Sequence, residues 1–227
     1  KNNMSKDWIQ EIKNYEKNLI GEIVSSSSVG FEIRAYEIER SPEYATLVCS
    51  VSGDTLVFGI INYVKMEPEA YMTGNIPKPL KRFREELAIH YKDIKDKLII
   101  TAKATSIGYY LKGNFYQERP RKIPWIHDLV YIPTKELIKE FHYLEGKITL
   151  NYIPLLYTSF PENEKGIFNS YLKTYLEYLS ENFEEEEIYD LVGSIQENLV
   201  HTGIENFIRV DLIARIFEEI LSKKNIL

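Results

Sequence analysis

The chain has 227 residues, 44% hydrophobic and 27% charged, with a formal net charge of −6. That is enough for one large or two small domains around a sizeable core, and the balance is that of an ordinary globular protein rather than a disordered one. No apolar run reaches the roughly 18 residues of a membrane-spanning helix, and the polar start is unlike a secretory leader. The single cysteine, Cys49, permits no internal disulfide, so a cytoplasmic protein with no membrane partner is the expectation.

Residues 4–18 place Trp8, Ile9, Ile12 and Tyr15 at three- and four-residue spacing, an amphipathic helix within an N-terminal element spanning 1–19. Four β-like runs follow at 20–25, 31–38, 45–51 and 55–66. The second alternates Phe31, Ile33 and Ala35 against Glu32, Arg34 and Tyr36, and Pro42 ends it. Gly53-Asp54 fits a two-residue hairpin loop between the last two runs. Short strands at this density, rich in β-branched and aromatic side chains, predict a small antiparallel barrel or sandwich. Cys49 lies inside an apolar run, where a small buried hydrophobe is expected rather than a reactive thiol.

A loop with three prolines leads into an inserted helix over 79–97, with Leu80, Phe83, Leu87 and Tyr91 on one face. Lys78, Lys81, Arg82 and Arg84 crowd its start. Cations there oppose the helix dipole, which points to a binding role. Residues 98–111 return to β composition. The following segment interleaves Tyr109, Tyr110, Phe115, Tyr116 and Trp125 with Lys112, Arg119, Arg121 and Lys122. Aromatics can stack on bases while cations track phosphates; equally, tyrosines can fill a barrel core. Between 76 and 122 twelve Lys/Arg stand against five Asp/Glu, a net of +7, whereas from 160 onward six stand against fourteen, a net of −8. A basic middle attracts nucleic acid or an acidic partner surface, unless the two zones merely solvate opposite faces.

Residues 129–132 read as a last barrel strand, and Thr134 as the N-cap of a helix over 135–142. Residues 147–157 read as one more β-like run, interrupted by Pro154. Beyond Pro161 three apolar stripes at helical spacing follow, and the run Glu184 to Glu187 reads as a solvated helix start. The fold expected is α+β: a small antiparallel β-barrel over 20–158 with the helical insertion, followed by a helical subdomain over 159–227.

With these elements in place, the barrel segment resembles the HAS-barrel, the small N-terminal barrel shared by archaeal HerA-type hexameric helicases and rotary ATP synthase subunits. The likeness lies in Ile20-Gly21-Glu22-Ile23-Val24-Ser25, in the strand from Gly30 to Tyr36, and in Gly53-Asp54-Thr55-Leu56-Val57-Phe58-Gly59-Ile60-Ile61. It extends to Pro124-Trp125-Ile126-His127-Asp128-Leu129-Val130-Tyr131 and Thr134-Lys135-Glu136-Leu137. The resemblance covers roughly 20–141 and contains no catalytic residue. It implies a barrel used for ring assembly and for contact with a partner nuclease in DNA-end processing. The chain departs from the family where a RecA-type ATPase should follow: no G-x-x-x-x-G-K-[ST] loop is present to wrap phosphates, and the later residues read as helices.

The sequence carries no motif for catalysis, metal or cofactor. His127-Asp128 has no histidine or cysteine at ligand spacing, since His90, His142 and His201 stand far off in sequence, and a structural histidine at a barrel rim is expected. Ser25 to Ser28 lack a nucleophile-elbow context. A helix-turn-helix at His201-Thr202-Gly203 would need basic groups, yet Arg209 and Arg215 are outnumbered by Glu205, Asp211, Glu218 and Glu219. The expectation is a non-catalytic docking or assembly module beside an ATPase or nuclease, capable of self-association. Its contact residues are sought among Lys78, Lys81, Arg82, Arg84, Lys112, Arg119, Arg121, Lys122 and Trp125. Direct nucleic-acid binding through the same cations, or a metal-dependent nuclease with carboxylates gathered by folding, are the alternatives.

Overall fold

A computed structural model describes residues 6–69, 81–90, 97–202 and 210–224. Six antiparallel strands close into a barrel: β1 (Leu19–Ser26), β2 (Gly30–Ala35), β3 (Leu47–Ser52), β4 (Thr55–Pro68), β5 (Leu98–Leu111) and β7 (Leu129–Tyr131). The order around it is β2-β1-β7-β3-β4-β5, and pairing of β2 with β5 seals the ring. A short β6 (Asn114–Tyr116) folds back on the end of β5. Closure removes the open edges that leave a small sheet prone to pairing with other chains.

Local chemistry dictates the turns. Gly53 takes a φ of +61°, the left-handed value wanted at the first position of the two-residue loop that pairs Ser52 with Thr55. At the β5–β6 turn both Lys112 (+49°) and Gly113 (+86°) have positive φ, the pattern of a type I′ hairpin. Gly30 is required for a different reason. A Cβ there would stand 2.0 Å from the carbonyl oxygen of Ala104 across the β2–β5 seam, so only glycine lets the barrel close.

β3 and the first half of β4 are largely apolar on both faces because both faces are covered there, whereas β2 alternates and leaves Arg34 exposed. Ile23, Ile33, Val48, Val57, Ile61 and Val130 fill the barrel interior. Leu47, Cys49, Leu56, Phe58 and Ile60, alternating with them along β3 and β4, join a second cluster shared with the helices. Helix α1 (Trp8–Lys13), capped by the Asp7 side chain, buries Trp8 in that second cluster. The expected helix over 135–142 is α3 (Lys135–His142), with Thr134 Oγ1 accepting from the Leu137 N–H at 3.3 Å. Helices α5 (Phe168–Ser180), α6 (Glu185–Thr202) and α7 (Val210–Lys224) follow the three stripes. Lys139 bridges to Glu187 at 2.7 Å and Lys135 to Glu184 at 3.2 Å, so the acidic start of α6 is tethered to α3 rather than only solvated.

Three expectations are corrected. Residues 147–157 do not form one strand: β8 (Tyr143–Leu144) and β9 (Lys147–Ile148) make a minimal hairpin, and α4 (Ile153–Ser159) is helical. Pro154, read as a strand interruption, sits in the first turn of α4, where its missing N–H costs nothing. The second run ends at Ala35 rather than at 38. In the insertion, α2 (Arg84–His90) is helical, but Phe83, expected on its apolar face, is 77% exposed. Leu80 and Tyr91 lie outside the described residues.

Candidate docking face at the barrel rim

The register of the long β4–β5 pair separates the expected contact residues into two places. Thr55 pairs with Leu111, so the 53–54 and 112–113 turns are neighbours at one barrel end. Ser50 pairs with Val130, which brings the start of β7 to the same end. The insertion leaves and re-enters at the other end, where Pro68 pairs with Leu98. Fourteen-residue strands rise on the order of 45 Å. Lys81, Arg82 and Arg84 therefore attach far from Lys112, Arg119, Arg121, Lys122 and Trp125, and no hydrogen bond or ion pair among the described residues joins the two sets. Lys81, Arg82 and Arg84 are exposed, with Arg82 placed 3.9 Å from Glu86 one turn along. Lys78 lies outside the described residues.

At the first end, the segment after β6 crosses from the β5 side of the barrel to β7. Its base is fixed by four contacts. The His127 N–H donates to the Ile23 carbonyl (2.8 Å), and the Ile23 N–H to the Asp128 carbonyl (3.0 Å). The Trp125 N–H donates to Asp128 Oδ2 at 2.6 Å, and the Asp128 N–H to the Trp125 carbonyl at 3.1 Å. Pro120 and Pro124 are buried. Between them and beyond, the chain offers its apolar side chains to the outside: Trp125 is 77% exposed, Ile126 59% and Ile123 42%. Arg119, Arg121 and Lys122, their neighbours in sequence, are exposed, and among the described residues none has a carboxylate within ion-pair distance. Ten other described cations do: Lys6, Arg34, Lys65, Arg82, Lys103, Lys135, Lys139, Lys147, Lys165 and Lys173 all reach a glutamate, whereas Lys13, Lys17, Lys81, Arg84 and Lys112 reach none among the described residues.

Beside this tip, Glu22 on β1 accepts from Tyr36 Oη (3.2 Å) and approaches Nδ1 of His127 at 2.9 Å. The His127 hydrogen bond, helped by that of Tyr36, holds the Glu22 carboxyl below its usual range. His127 has a φ of +73°, an uncommon value for a residue with a Cβ. The pair sets the loop against β1, and among the described residues no third metal-ligating side chain joins it. Among the described residues no three His, Cys, Asp or Glu side chains converge on a point that could hold a metal.

The aromatic array is smaller than the spacing implied. Tyr109 and Tyr110 are buried. Tyr109 donates to Glu118 at 2.9 Å and stacks on Tyr116, and burial is the main cause of its raised pKa. Tyr110 donates to the Lys6 carbonyl, and Phe115 packs on the helix-side core. Only Trp125 and the half-covered Tyr116 remain outside. Sequence reasoning overlooked Ile123 and Ile126. Their signal was a K-I-P-W-I run that fits neither a helical nor an alternating period, leaving bulky apolar groups no face to bury.

Cys49 is fully buried, and burial pushes its thiol far up, away from thiolate chemistry. No helix among the described residues is long and apolar enough to cross a membrane. No protein-family model matches this chain, and no curated protein matches it.

Proposed function

We propose that this chain is a non-catalytic docking or assembly module that works beside an ATPase or nuclease in DNA processing, in a reducing cytoplasm, with the 119–126 rim as its contact face. The observation that carries this reading is the rim itself: an exposed tryptophan and two exposed isoleucines on a loop pinned at its base, next to three exposed cations with no carboxylate in reach among the described residues. Tryptophan and arginine dominate the binding energy of protein interfaces, and a loop fixed in advance loses little entropy on binding. The HAS-barrel resemblance supports the partner class. A closed barrel completed by β7 and followed at once by the short helix α3 has the layout that the resemblance implies. Affinity capture from native lysate should recover an ATPase or nuclease with the unmodified chain and lose it with Trp125→Ala. The purified chain should hydrolyse no ATP. Capture that recovers neither class overturns the reading.

A second reading rests on the same cations. Lys112, Arg119, Arg121 and Lys122 beside Tyr116 and Trp125 combine phosphate and base-stacking chemistry. Single-stranded oligonucleotide should then shift in a gel at low salt, the affinity should fall steeply as salt rises, and Arg119→Ala with Arg121→Ala should weaken it. Absence of a shift at low salt ends this reading.

A further inference from the structure

We infer that the 119–126 rim takes an acidic peptide segment of its partner, with that segment's apolar side chains against Trp125, Ile126 and Ile123 and its carboxylates against Arg119, Arg121 and Lys122. The inference rests on the docking reading and names the chemistry of what docks. Charge complementarity is the first argument. The chain as a whole carries −6, yet this loop holds three cations with no carboxylate in reach among the described residues, whereas cations such as Lys6, Lys103 and Lys139 are paired with glutamates within the fold. Unpaired cations beside exposed apolar groups are completed by a ligand that brings carboxylates and hydrocarbon together.

The second argument separates a peptide from other polyanions. Ile123 and Ile126, which flank Trp125 in sequence, expose aliphatic surface beside it. Nucleotide strands bring phosphates and aromatic faces and leave such surface poorly covered, whereas Leu, Phe or Met side chains cover it well. An anionic lipid surface would bury the aliphatic groups, but Glu118 and the Glu22–His127 pair lie close by, and a continuous sheet of negative headgroups would be pressed against those carboxylates. A peptide can pass beside them.

The two tryptophans make the test direct. Trp8 is 1% exposed and Trp125 is 77% exposed, so a change in emission on adding a ligand reports Trp125. The full chain is titrated with synthetic peptides sharing one apolar Leu/Phe core, with flanks of Asp/Glu, of Ser/Asn, or of Lys/Arg. An oligo-dT strand and phosphatidylserine vesicles are titrated in parallel. The acidic peptide alone should shift the emission to the blue. By anisotropy of the labelled peptide, Trp125→Ala should weaken binding by about thirtyfold. Combined Arg119→Glu, Arg121→Glu and Lys122→Glu should weaken it tenfold or more, on the order expected for desolvated charge pairs. Equal binding of neutral and acidic peptides, preference for the basic one, response to oligo-dT or vesicles alone, or no response to any probe each overturns the inference. The docking reading fails separately. If an ATPase or nuclease is captured equally well by the charge-reversed chain, docking stands and the acidic-peptide inference falls. If acidic peptides bind but neither class is captured, the inference stands and the proposed partner class falls.

Discussion

The helix-covered side of the barrel and its rim treat the same residue types in opposite ways. Under the helices, a histidine and two tyrosines are paired with one another inside the protein, although the buried Tyr171 hydroxyl has no partner among the described residues. His142 is fully buried, donates from Nδ1 to the Ile138 carbonyl at 2.7 Å, and accepts at Nε2 from Tyr152 Oη at 2.6 Å. Tyr152 is bonded in turn to Tyr175 at 2.6 Å, so one chain of hydrogen bonds ties α3, the start of α4 and α5 together. At the rim, Arg119 and Arg121 have no carboxylate within ion-pair distance among the described residues, and a tryptophan faces solvent. Buried groups left unpaired are costly, and exposed groups left unpaired are cheap. The first region is therefore where stability resides, and the second is where affinity can be built without spending it. Substitutions in the two regions should fall into two classes with little overlap.

The largest effect is expected where the barrel meets the helices. Phe141 on α3 is fully buried and stacks on Phe58 of β4 with ring centroids 4.2 Å apart. Phe141→Ala removes a ring from the shared core and leaves a cavity, at a cost of about 4 kcal/mol. Denaturant unfolding should show it as a lowered midpoint with little change in slope. A loss below about 1 kcal/mol would mean that helices and barrel do not share one core.

Next comes pH. Burial lowers the His142 pKa from its ordinary 6.5 to about 4, partly opposed by the bond to Ile138. The depressed value means that the unfolded chain binds the proton first. The contribution is complete above about pH 6.5 and is lost as pH falls toward about 4, amounting to roughly 3 kcal/mol at most. Unfolding midpoints measured between pH 7 and pH 4 should fall more steeply for the unmodified chain than for His142→Gln, which has no proton to take up there. Parallel curves would place the acid sensitivity elsewhere.

This contrast was half legible in the sequence. Strands recur close to their expected bounds because alternation and Gly53-Asp54 are local signals, whereas the 112–113 turn and β6 were not read. Thr134 and α3 were readable for the same reason. What escaped depends on contacts distant in sequence. Pro154 permits either a broken strand or a helix start, and only burial of Ile153, Leu156 and Tyr157 among the helices decides it. The tyrosines of β5 and the Trp125 loop share one composition, yet β5 is covered on both faces and the loop is not. Nor does a histidine at a helix end announce that Tyr152 and Tyr175 will close around it. The basic residues formed one patch in sequence and divide in space because a long hairpin separates them.

The smallest effect on stability is the sharpest test of the division, because the two tryptophans form a matched pair. Trp8 is buried, with its indole N–H donating to Glu140 at 3.1 Å and Lys6 lying 4.2 Å from the ring centre. Trp125 has its backbone held by Asp128 and its ring outside. Trp8→Ala should cost about 4 kcal/mol, while Trp125→Ala should move the unfolding midpoint by less than about 0.5 kcal/mol, because no buried surface is lost. The same Trp125→Ala chain should lose partner capture entirely in the pull-down. A rim substitution that unfolded the protein would make the loop a structural strut. One that changed neither stability nor capture would leave the exposed indole without a role in docking. Only silence in unfolding joined to loss of the partner places affinity and stability in separate parts of the chain.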